Sequence, residues 1–111
     1  MLVYRIEDKN GIGPFHGSFS HYLYCTPLYA EWMSITKALP NPKQEFPGID
    51  DNELYSLVCG CQSYDQLMAW FGEFMDKLTY RGFTVHTYEV DTPWLGEYQV
   101  LFDKSLAQLI S

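Results

Sequence analysis

The sequence predicts an α+β fold: a small, mostly antiparallel sheet with one long amphipathic helix, about residues 63–81, packed on it, plus one or two shorter helices. Three observations carry that expectation. The stretch SYDQLMAWFGEFMDKLTYRG places its apolar residues at helical period. Short runs near both ends alternate apolar and polar residues or are rich in β-branched and aromatic side chains. No segment repeats at a period of about 20 to 50 residues, which excludes a solenoid. A chain of 111 residues has room for one core, so residues 1–111 are read as a single domain.

The opening run LVYRIE alternates Leu2, Tyr4 and Ile6 on one face with Val3, Arg5 and Glu7 on the other, as a strand does. Arg5 breaks the apolar character, and three readings stand: it holds an anion, pairs with a carboxylate, or points into water. The expectation is a charge pair with a carboxylate on the adjoining strand, on the less buried face, because a guanidinium buried alone is costly. NGIGPF then reads as a tight loop. Its G-x-G has neither the Lys-Ser/Thr ending of a phosphate loop nor a third glycine at the right offset.

PLYAEWMSITKAL fits a helix from near Pro27 to before Pro40, with Leu28, Trp32, Ile35 and Leu39 on one face. Tyr22, Tyr24, Tyr29 and Trp32 form an aromatic cluster that suits either core or interface. PNPKQEFPGIDDNE reads as a loop and carries Asp50, Asp51 and Glu53, the densest acidic patch in the chain. YSLVCGC is a short buried strand. The long helix begins at Ser63, whose spacing to Gln66 is that of a capping box, and ends at Gly82 in the C′ position. Its stripe is Leu67, Trp70, Phe71, Phe74, Met75 and Leu78. FTVHTYEV and EYQVLF are expected to form a hairpin around DTPWLG, and KSLAQLI to finish as a short helix.

Fourteen acidic residues against seven basic ones give a net charge of −7. Such a surface repels a phosphate backbone, so direct nucleic-acid binding is disfavoured and a basic protein or nucleoprotein partner is favoured. No apolar run approaches the roughly 18 residues of a membrane span, and the charged start is unlike a signal peptide, so the expected location is the cytoplasm. Cys25, Cys59 and Cys61 are an odd set whose C-x-C spacing completes no zinc site, and no metal is expected. There is no G-x-S-x-G elbow. Adjacent carboxylates such as Asp50 and Asp51 point apart, unlike a glycosidase pair.

VYRIEDKNGIGPF, CGCQSYDQLMAWF and RGFTVHTYEV followed by EYQVLF resemble a group of small phage and prophage proteins. That group opens Tyr-Arg-x-Glu-Asp, then Gly-x-Gly-Pro-aromatic, and continues with Cys-Gly-x-x-Ser-x-x-Gln-Leu-x-x-Trp-Phe and a final Gln-Val strand. The resemblance covers about half the chain and departs at Phe15, at Cys61 and in the middle loop. It implies a phage context. The order of parts also resembles, more remotely, the ADP-ribosyltransferase fold. That resemblance implies NAD as cofactor and catalytic positions at Arg5, Ser63 or Tyr64, and Glu97 or Gln99, with Arg5 on the pyrophosphate and Glu97 on a ribose hydroxyl.

The function expected from charge, size and resemblance is that of a phage-encoded acidic binding protein, without catalysis or cofactor, that inhibits a bacterial host defence in the host cytoplasm. An anti-CRISPR role, occupying a nucleic-acid-binding surface of its protein target as a DNA mimic, is the specific form. Glu45, Asp50, Asp51 and Glu53, with Glu31 as a neighbour, are the expected partner-binding residues. The ADP-ribosyltransferase-like enzyme at Arg5, Ser63, Glu97 and Gln99 is the alternative.

Overall fold

The computed structural model describes residues 1–13 and 41–111. The helix expected over 27–39, the aromatic cluster 22–32 and Glu31 lie outside the described residues. Strand β1 (Leu2–Glu7) pairs antiparallel with β3 (Thr84–Glu89), Arg5 opposite His86, and β3 pairs on its other edge with β6 (Gln108–Leu109). A second antiparallel sheet has β5 (Val100–Phe102) between β2 (Val58–Gly60) and β4 (Trp94–Leu95). The two sheets join at one rung, where Tyr4 and Cys61 exchange both backbone hydrogen bonds at 2.7 Å. The order is therefore β6-β3-β1, one rung, β2-β5-β4. Gly60 permits that close approach: a Cβ there would lie 2.6 Å from Val3 Cγ1 and 3.0 Å from the Tyr4 carbonyl oxygen.

Both faces of β1 are covered. Ile6 packs with Leu67, Phe71, Phe74, Leu78, Phe83 and Cys61 under the helices. Val3 packs with Tyr88, Val90, Val100 and Phe102 on the opposite side. The expectation that Arg5 lies on a less buried face is thus corrected: Arg5 is 9% exposed and Glu7 1%. Its carboxylate partner is Glu7, two positions along its own strand, not a residue of the adjoining one.

The long helix is helical from Tyr64 to Tyr80, as α3 (Tyr64–Phe71), a 3₁₀ turn (Gly72–Phe74) and α4 (Met75–Tyr80). The tightening falls at Gly72, the poorest helix former in the tract. Ser63 Oγ accepts from the Gln66 N–H at 3.1 Å, but the Gln66 side chain returns to the Gln62 N–H at 2.8 Å, one residue before the cap. At the other end Gly82 has φ +89°, the Gly82 N–H bonds to the Thr79 carbonyl and the Phe83 N–H to the Leu78 carbonyl. This is a Schellman closure, with the Phe83–Leu78 apolar contact that accompanies it.

Three expectations are corrected by backbone pairing. FTVHTYEV and EYQVLF do not form a hairpin; β3 and β5 belong to different sheets, and the hairpin is β4–β5, closed by a bond from the Gly96 N–H to the Gln99 carbonyl. KSLAQLI holds only a 3₁₀ turn (Lys104–Leu106) before β6, because the edge of β3 takes up the chain: the Ile110 N–H bonds to the Thr87 carbonyl at 2.8 Å. The acidic loop contains two short helices, α1 (Pro42–Glu45) and α2 (Asp51–Tyr55). Asn41 and Gln44 make a reciprocal capping box for the first, and Asp50 caps the second by accepting from Asn52.

Gly82→Ala forces a Cβ into left-handed backbone, which costs about 1–2 kcal/mol. The expected result is a lower urea midpoint with unchanged m value. An unaltered midpoint would show that the Schellman closure does not depend on glycine.

Candidate functional site

Glu7 gathers its partners from across the fold. One carboxylate oxygen accepts from Tyr88 Oη at 2.6 Å, the other from Arg5 Nε at 2.8 Å and Lys104 Nζ at 2.5 Å. His86 Nδ1 stands 3.9 Å away. Lys104 also donates to the Gly11 carbonyl, and its ammonium lies 5.8 Å from the centre of the Tyr88 ring. Burial alone pushes the Glu7 carboxyl up, but the hydrogen bonds from Lys104, Tyr88 and Arg5 outweigh it and hold the group below its ordinary value. Burial, and next the bond to Glu7, push the Tyr88 hydroxyl up.

The Tyr4–Cys61 rung is the one backbone pairing between the two sheets among the described residues, and Arg5 follows it on β1. Its Nη1 donates to the Cys59 carbonyl at 2.6 Å, so the guanidinium bridges β1 and β2. A cavity of about 350 Å³ lies there, with Arg5 and Cys59 on one side and Leu54, Leu57, Phe71 and Leu101 supplying apolar wall. Gly13 also lines it, against Arg5 Nη2. Cys61 is not part of this surface: buried at 3% exposure, its thiol is pushed up to about 12 by burial and by the neighbouring Cys59, which makes it a weak nucleophile.

The expected partner-binding residues separate into two groups. Asp50, Asp51 and Glu53 are exposed at the N-terminal end of α2, and Asp51 pairs with Lys43 at 2.8 Å. Glu45 is half-buried and turned inward, one carboxylate oxygen accepting from the Tyr98 N–H at 2.9 Å. Of the alternative catalytic set, only Arg5 lines the cavity. Ser63 is committed as the helix cap, Tyr64 is exposed and edge-on to Tyr4 at 5.4 Å, and Glu97 is exposed while its carbonyl accepts from Gln66 Nε2. Gln99 is 3% exposed, immediately before β5. Ser63 Oγ and the Glu97 backbone carbonyl thus both bond to Gln66.

Lys104 and Tyr88 escaped the sequence reading. Tyr88 carried a detectable signal, since it shares a β3 face with His86 by alternation. Lys104 carried none, because its place depends on a 3₁₀ turn at the far end of the chain. Among the described residues no group of three or more His, Cys, Asp or Glu side chains is arranged to hold a metal ion, and no helix is long and apolar enough to cross a membrane.

Glu7→Gln keeps the shape of the side chain and leaves Arg5 and Lys104 without their counter-charge, at a cost of about 3–5 kcal/mol. Because the folded carboxyl lies below its unfolded value of about 4.3, its contribution is present above that pH and lost as pH falls through the folded value. Urea titrations over a pH series should therefore show a weaker acid dependence in the variant. A variant as stable as the parent at pH 7 would contradict this account.

A family model described as "Bacteriophage T4 Y00F protein" matches residues 1–111. Comparison with curated proteins and with solved structures returns no match.

Proposed function

The chain belongs to the bacteriophage T4 Y00F family, and from that premise we propose that it is an acidic binding protein that occupies a basic, nucleic-acid-binding surface of a bacterial defence protein, as an anti-CRISPR does. The observation that supports this reading is how charge is distributed. Arg5 and Lys104 are both turned onto Glu7, so taking two cations and one carboxylate out of a net charge of −7 leaves −8 on the rest of the chain. Asp50 and Glu53 present part of that excess on one short helix end, held by the Asp50 cap, beside Asp51, which pairs with Lys43. Carboxylates fixed in this way steer association with a basic groove and compete with phosphates for it.

The host cytoplasm is the compartment in which such a partner would be met. The transferase alternative draws less support, because the Ser63 oxygen already accepts a helix N–H.

The test is a charge-reversal set in which Asp51→Lys and Glu53→Lys are combined with Asp50→Asn, which keeps the cap acceptor. The measurement is release of DNA from a guide-loaded CRISPR effector in a competition assay. The parent chain is expected to release it, less effectively as salt rises, and the variant to lose at least about tenfold in potency. No release by the parent would overturn the proposed target, and equal potency of the variant would overturn the role of α2.

A further inference from the structure

We propose that the cavity lined by Arg5 of β1 and Cys59 of β2 is a binding site for a small organic anion, its charged group received by Arg5 and its flat apolar body held against Leu57, Phe71 and Leu101. This inference is independent of the acidic surface. A guanidinium carries five N–H donors. Arg5 spends one from Nε on Glu7 and its Nη1 donors on the Cys59 carbonyl and, at 3.8 Å, the Cys59 Sγ, and no hydrogen bond engages Nη2 among the described residues. Buried donors of this kind are ordinarily satisfied. The open nitrogen is the one beside Gly13, on the cavity lining.

The charge count points the same way. Arg5 and Lys104 share one carboxylate, which leaves one surplus positive charge next to the cavity. The described lining holds two cations, Arg5 and Lys43, the latter paired with Asp51, and no carboxylate. Most of the remaining wall is apolar, and about 350 Å³ falls at the small end of ligand sites, the size of an aromatic carboxylate or a mononucleotide. Glu7 through Nε and the Cys59 carbonyl through Nη1 fix the guanidinium, so the anion would meet a donor already oriented and would lose little in ordering it.

Arg5 also anchors Glu7, so the blocking variant is Leu57→Trp, which fills the cavity and leaves the Arg5–Glu7 pair intact. The probes are benzoate and AMP, with benzamide and adenosine as their uncharged counterparts, titrated into the full chain and followed by backbone amide resonances. At least one anion is expected to give saturable shifts at Gly13, Cys59 and Gly60, with its neutral counterpart at least about tenfold weaker and the response lost in Leu57→Trp. Benzoate alone would assign a carboxylate ligand, and AMP alone a phosphate ester. Absence of saturable shifts up to about 10 mM of either anion, equal binding of the neutral counterparts, or shifts that persist in Leu57→Trp would each overturn the proposal.

Discussion

A single buried carboxylate holds the described parts of this chain in register. Glu7 accepts from Arg5 on its own strand, Tyr88 on the neighbouring strand and Lys104 near the C-terminal end. Through Arg5 the same network reaches the Cys59 carbonyl in the other sheet. With one backbone rung between the sheets, the angle at which they meet depends on side chains as much as on ladder hydrogen bonds. An ion in that position is tolerable only because both its oxygens are satisfied, and removal of any one donor leaves the others exposed to the desolvation that burial imposes.

How much of this was legible in the sequence differs by element. The long helix was readable because its signals are local: an oxygen before the first turn, a stripe at period 3.6, a glycine after the last turn. β1, β2 and β3 were readable by alternation or apolar runs. The pairing of strands was not. FTVHTYEV and EYQVLF are neighbours in sequence, and only the packing of Val100 and Phe102 under Val3 sends the second into another sheet. The short helix after Asn41 was overlooked although N-P-K-Q is a cap, a proline at N1 and a glutamine at N3, all local signals of a helix start.

The site shows the same division. Arg5 stood out as anomalous in the sequence, and the structure makes it the pivot of the cleft. Strand alternation correctly put it beside Glu7, but the sequence does not say which face of a strand is covered when both are. Asp50 illustrates the opposite error. A residue that reads as part of an acidic patch is also a helix cap, so its charge and its geometry serve the same end: a fixed carboxylate at the positive end of a helix, with Asp51 and Glu53 behind it.

The outermost strands have a bearing on how any partner can be met. Among the described residues the end strands β4 and β6 are two residues long, so neither offers a long row of unpaired backbone groups on which an extended peptide zips up. Strand addition at β4 or β6 therefore has little backbone to pair with. A partner that meets either strand is recognised mainly through side chains.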